Sequence, residues 1–145
     1  MEKQGYSNHI RYYIPHHFIF YPVSFILILT GALLIFRSPG AEREWIGITL
    51  AFIMITWVAY MMRQHYALTT QNRIVRLELR LRYYQLTGQR LESVEHMLSF
   101  PQLAALRFAS DEELPALVER TIKENLTPDT IKKAIINWLP DTMRV

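Results

Sequence analysis

Hydrophobic positions in this chain fall into two long blocks near the N-terminus and then into short periodic stripes. From Tyr12 to Phe36 there is no Asp, Glu, Lys or Arg, and Phe18–Phe36 is almost wholly apolar. A second charge-free run extends from Trp45 to Met62, closed by Arg63. Crossing ~30 Å of hydrocarbon takes about 20 helical residues, so each run is long enough to span a bilayer. Pro22 near the helix start, and the hydroxyls of Ser24 and Thr30, are compatible with such a helix. Between the runs lies Arg37-Ser-Pro-Gly-Ala-Glu-Arg-Glu44, a polar turn carrying Pro39 and Gly40. A connection this short forces the two helices to run antiparallel. Buried core helices of soluble bundles seldom go so far without a charge, and no small-x-small cleavage site follows Phe36, which argues against a cleaved signal peptide.

Periodicity changes after the second run. Ile74, Leu77, Leu81 and Tyr84 recur at 3-4-3 spacing, an a/d stripe over two heptads, with Arg73, Arg76 and Arg80 on a neighbouring face. This predicts a helix continuing from the second span and broken near Gly88. Beyond it, Ser99 is placed to cap a helix reaching Ala109. Ser110-Asp-Glu-Glu113 has the capping-box pattern ahead of a helix with apolar Leu114, Leu117, Val118 and Ile122. Thr127-Pro128 opens a third helix presenting Ile131, Ile135 and Trp138, stopped by Pro140. Three helices in about 50 residues bury only a marginal core, so the module is expected to dock, most simply on the 63–90 helix.

The expected architecture is an all-α membrane protein with six segments. Residues 1–16 form an N-terminal flank, 17–36 the first transmembrane helix, 37–44 an extracytoplasmic turn and 45–63 the second transmembrane helix. Residues 64–90 form a basic juxtamembrane helix and 91–145 a bundle of three short helices.

Charge sharpens this picture. The 145 residues carry a net charge of +3, but residues 1–90 hold ten Lys/Arg against four Asp/Glu, and 91–145 six against nine. Arg63, Arg73, Arg76, Arg80 and Arg82 follow the second span within twenty residues. The positive-inside rule therefore places that side, and with it both termini, in the cytoplasm. Tyr12, Tyr13, Tyr21, Trp45, Trp57, Tyr60 and Tyr66 lie near span ends, where amphipathic rings favour the headgroup layer. Arg73, Arg76, Arg80 and Arg82 are candidate contacts for anionic lipid or a protein partner, each worth ~1 kcal/mol near a charged surface. Nucleic acid is not an expected partner, since the cluster is tethered at the bilayer and lacks a reading module.

Candidate chemistry is sparse. There are no cysteines, which excludes disulfides, thiolate metal sites and a cysteine nucleophile. No P-loop, dinucleotide-binding glycine fingerprint or nucleophile elbow is present, so no catalytic residue is assigned. Asp111, Glu112 and Glu113 read as helix-cap residues. With the turn centred near residues 40–41, positions summing to about 81 share a depth in the hairpin. That puts His16 level with His65 and His17 beside them, a candidate metal or haem site. The same arithmetic sets Gly31 opposite Leu50 and Ala51. Gly47-x-x-x-Ala51 is a small-x-x-x-small pattern, suited to packing within the hairpin or, as the alternative, in a dimer.

Four stretches taken together resemble a bacterial family of unknown function. They are His16-His-Phe-Ile-Phe-Tyr-Pro22, Arg73-Ile-Val-Arg-Leu-Glu-Leu-Arg-Leu-Arg82, Leu106-Arg-Phe-Ala-Ser-Asp-Glu-Glu-Leu-Pro-Ala-Leu-Val-Glu-Arg120 and Ile131-Lys-Lys-Ala-Ile-Ile-Asn-Trp138. Pro101 departs from the pattern, standing where a glycine is expected. The resemblance covers nearly the whole chain. It implies a small inner-membrane protein with two transmembrane helices and a helical C-terminal region, and it transfers no activity, cofactor or catalytic residue. The expected role is therefore that of a non-enzymatic accessory subunit or scaffold, with partners among membrane lipids and either another protein or further copies of itself. A metal- or haem-linked component and an anionic-lipid anchor are the alternatives.

Overall fold

A computed structural model describes residues 4–9 and 12–141, and the chain divides into two compact units. Of the described residues, 12–69 form one and 4–9 with 70–141 the other.

The first unit is a helical hairpin. Helix α1 covers Tyr21–Arg37 and α2 covers Glu42–Met61, each continued at its outer end by π-helical turns, Pro15–Phe20 and Met62–Ala67. Pro22 has no N–H to donate and its ring crowds the preceding turn, which accounts for the widened register just before α1. Ser38 N–H bonds the Leu34 carbonyl (3.1 Å) and Ala41 N–H bonds that of Ser38 (3.0 Å), and Gly40 supplies the left-handed φ of +88° the turn requires. Both helical runs, Pro15–Arg37 and the one beginning at Glu42, are long and apolar enough to cross a membrane.

The hairpin is built the opposite way from a water-soluble pair. Its buried residues are Ser24, Gly31 and Thr49, small or hydroxyl-bearing, while Phe36 is 85% exposed and Trp57 62%. The Thr49 hydroxyl donates to the Trp45 carbonyl at 2.7 Å, so the only polar side-chain atom this residue brings to the seam is satisfied within its own helix. Small residues at the seam let the backbones approach, and the large apolar side chains face outward.

Gly31 is the point of closest approach. A Cβ added there would overlap Thr49 Oγ1. The depth pairing thus falls one or two residues from the Leu50/Ala51 expected. Gly47 and Ala51 are exposed, and nothing lies within 4 Å of a Cβ placed at Gly47. Their assignment to packing within the hairpin is therefore corrected: Gly31 sits against Thr49, on the opposite side of α2 from Gly47.

Helix α3, Leu68–Thr87, belongs to the second unit from Thr70 onward and ends where Gly88 turns with φ +69°. Four short helices follow, α4 Glu92–Glu95, α5 Phe100–Leu106, α6 Leu114–Glu124 and α7 Pro128–Ala134. They enclose a core in which Leu91, Leu106, Leu114 and Ile131 are fully buried. Helix α3 contributes Leu79 and Tyr83 to that core, so the compact unit begins near residue 70 and not at 91. The face that α3 buries is Val75, Leu79 and Tyr83, with i, i+4, i+8 spacing. The a/d stripe picked out by periodicity is the other apolar face, and it is exposed.

Local signals explain the helix ends. Ser99 caps α5, its N–H donating to Gln102 Oε1 at 2.7 Å, and Pro101 is accommodated in the first turn, where a missing N–H costs nothing. Gln102 Nε2 in turn donates to the Leu126 carbonyl (2.8 Å), joining the start of α5 to the end of α6. Helix α5 stops at Leu106, short of the Ala109 expected. Helix α7 stops at Ala134, so Ile135 and Trp138 lie beyond it. There the Glu113 carboxylate accepts the backbone N–H groups of Ile136 (3.2 Å) and Asn137 (3.0 Å), Leu139 N–H bonds the Phe108 carbonyl (2.8 Å), and Trp138 bridges to Ala109. These long-range acceptors draw the backbone out of the helix before Pro140 is reached. Glu113 accordingly holds the chain after α7 in place of completing a capping box with Ser110.

Candidate functional site

The second unit concentrates the polar organisation. Glu95 is almost fully buried; its Oε2 accepts from Arg80 Nε at 2.6 Å, and its Oε1 forms an ion pair with Arg76 Nη1 at 2.9 Å. A buried carboxylate requires such partners. Glu95 raises the Arg80 pKa above its ordinary value, chiefly through that hydrogen bond. Arg82 turns the other way: its Nε meets Asp111 at 2.6 Å, Nη1 the Arg107 carbonyl at 3.1 Å and Nη2 the Ala109 carbonyl at 2.5 Å. One planar guanidinium thereby satisfies the carbonyls exposed where α5 ends. Of the four arginines singled out in the sequence, Arg76, Arg80 and Arg82 hold the unit together, and Arg73 stands exposed with no ion pair among the described residues. A cleft of about 150 Å³ lined by Glu78, Leu79, Arg82, Arg107, Leu139, Pro140 and Asp141 has its guanidiniums already matched, Arg82 to Asp111 and Arg107 to Asp141 at 3.1 Å.

The N-terminal stretch is a feature that sequence reasoning missed. Tyr6 Oη donates to Asp129 at 2.5 Å, the Asp141 N–H bonds Gln4 Oε1 at 2.7 Å, and Lys133 Nζ lies 5.3 Å over the Tyr6 ring. His9 packs against Phe108 and Trp138, with ring centroids 6.1 and 6.0 Å away. Its Nδ1 sits 2.6 Å from the Tyr6 carbonyl, which only accepts, so Nδ1 carries the proton and Nε2 accepts from Lys132 Nζ at 2.9 Å. A segment expected only as a flank is thus a strap across α7. No local pattern signals it, because its hydrogen-bond partners Asp129, Lys132 and Asp141 lie more than 120 residues away.

Lys133, and after it Tyr6, lower the Asp129 pKa below its ordinary value, and Asp129 in turn raises that of Lys133. A depressed carboxylate stabilises the fold above its unfolded pKa and loses that contribution as pH falls through the folded value. The strap is therefore expected to loosen below about pH 4, the ordinary carboxylate range. Hydrogen exchange at residues 4–9 should rise there before exchange in α5 or α6 does, and Asp129→Asn should abolish this early phase.

The histidines lie in the hairpin unit. His16 and His17 are neighbours, with ring centroids 5.3 Å apart. His16 stacks on Phe20 (5.9 Å, interplanar 2°) and meets Tyr21 edge-on at 4.7 Å. The His17 Nδ1 bonds the Tyr13 carbonyl at 3.0 Å, and His65 lies against Tyr66. Among the described residues no group of three or more His, Asp or Glu side chains is disposed to hold a metal ion, so the structure does not gather His16, His17 and His65 into one coordination sphere. The rings instead sit within aromatic clusters.

A model of a family of unknown function, DUF6526, matches residues 1–145. No curated protein and no solved structure matches the chain.

Proposed function

The chain belongs to the DUF6526 family, and we propose that it serves as a membrane-anchored accessory or scaffold protein, presenting its second unit to a partner. The observation that carries this reading is the division of labour between the units. One is a hairpin whose outer surface is apolar throughout the spans, which calls for lipid as its cover. The other is a compact helical module with its own core and charges paired within it, Glu95 to Arg80 and Asp111 to Arg82. The arginines following the second span support a cytoplasmic module in a bacterial inner membrane, with both termini on that side. The N-terminal strap supports the same sidedness, because the chain entering and the chain leaving the hairpin belong to one compact unit.

Affinity purification of the full chain from native membranes in mild detergent, with quantitative mass spectrometry of what remains bound, tests the proposal. A stoichiometric partner, whether another protein or a second copy, is the expected result. A protein recovered alone and monomeric would contradict it.

A further inference from the structure

Helix α3 has two apolar faces, and only one is used within the chain. Val75, Leu79 and Tyr83 enter the core, while Ile74 (49% exposed), Leu77 (61%), Leu81 (60%) and Tyr84 (54%) stand in a row on the outside. These four occupy a, d, a and d of two successive heptads. On that register Arg73 and Arg80 fall at g, Glu78 and Gln85 at e. Arg80 is bound to Glu95, whereas Arg73 and Glu78 are exposed and enter no ion pair among the described residues.

We infer that this face binds a second copy of the chain, the two α3 helices forming a short parallel coiled coil. The charges select both the partner and its direction. In a parallel pair each g residue faces the e residue five positions on in the other copy, so Arg73 meets Glu78 of the second copy, twice by symmetry. In an antiparallel pair g faces g, which would set the arginines at 73 and 80 against one another. Two heptads alone make a weak coiled coil in water. Anchoring both copies in one membrane raises their effective concentration and permits so short a seam to hold. The inference rests on the membrane-anchored reading above and names the partner as the chain itself.

The chain has no cysteine, so single cysteines report cleanly on the full-length protein in its membrane. Leu77→Cys, at d, should crosslink to a dimer on mild oxidation. Asn72→Cys, at the exposed f position away from the seam, should not. Adding Arg73→Glu turns two attractive contacts into two repulsive ones and should lower the dimerisation constant roughly tenfold. Combining Arg73→Glu with Glu78→Arg should restore the crosslink, which a merely misfolded variant would not do. Equal crosslinking at 72 and 77, or a crosslink indifferent to charge reversal, overturns the inference. So does strong quenching of a fluorophore at position 77 by brominated acyl chains, which would assign the stripe to lipid. A heterologous protein recovered at stoichiometry with no crosslink at 77 would overturn this inference and leave the accessory reading standing.

Discussion

Replacing Arg82 with methionine is expected to destabilise the second unit by about 2–4 kcal/mol. The pair with Asp111 accounts for little of this, because Asp111 is exposed and such pairs contribute ~1 kcal/mol or less. The cost arises at the carbonyls of Arg107 and Ala109, which Arg82 satisfies where α5 ends, Ala109 being fully buried. Leaving a buried acceptor unmade costs about 1–3 kcal/mol each. Methionine keeps the apolar stem and isolates the loss to the guanidinium. Arg82→Lys should recover less than half, since an ammonium cannot bridge two carbonyls and a carboxylate in one plane. Thermal unfolding of the full chain in detergent, with hydrogen exchange followed over residues 100–139, checks both variants. A fall in Tm on the order of 10–20 °C is expected for the methionine variant. Arg73→Met, which removes no buried contact within one copy, should leave the Tm of the monomer unchanged.

The hairpin has its own most sensitive position. Gly31→Ala is expected to loosen α1 from α2 by about 1–3 kcal/mol, the usual cost of overpacking. The added Cβ overlaps Thr49 Oγ1, and Thr49 Cβ and Cα stand behind it at 3.4 and 3.7 Å. Rotating Thr49 out of the way forfeits its bond to the Trp45 carbonyl. Thr49→Ala removes the clashing atom and leaves ordinary contact, so the double variant Gly31→Ala with Thr49→Ala should recover most of the loss. Gly31→Val should not be rescued by the same change, because its branches reach the Thr49 backbone. Distances between spin labels on the outer faces of α1 and α2, measured in lipid nanodiscs, should broaden for the single Gly31 variants and narrow again for the rescued pair. Gly47→Ala, which meets open space, should change nothing within one hairpin.

These two positions show which parts of the fold local sequence reveals. The two long apolar helices are legible because absence of charge over such lengths has few physical causes, and the turn because Pro39 and Gly40 interrupt both helices. Counting from that turn brings Gly31 to within one or two residues of its contact. Gly47 and Ala51 mislead, because small residues permit close approach without specifying a partner. Helix α3 shows a related ambiguity. Its two apolar faces differ little in composition, and the more regular stripe, at Ile74, Leu77, Leu81 and Tyr84, is the one the core leaves uncovered. Helix starts at Ser99 and Thr127 are readable from cap and proline chemistry. The end of α7 is not, since Glu113 and Phe108, more than twenty residues upstream, take over its backbone partners. The arginine cluster is visible as charge, but its use is hidden. Arg76, Arg80 and Arg82 look like a solvated or lipid-facing row until Glu95 and the carbonyls after α5 are brought to them by the fold.

The central claim is that the hairpin is embedded in lipid with the second unit on the cytoplasmic side. Single cysteines introduced into this cysteine-free chain, probed with a membrane-impermeant maleimide in intact cells, test it most directly. Cysteines at Leu29 and Ile53 should resist labelling until detergent is added. One at Ser38 should label in intact cells, and one at Glu119 only after the cells are opened. Free labelling at 29 and 53 in intact cells, or identical accessibility at 38 and 119, would contradict the account.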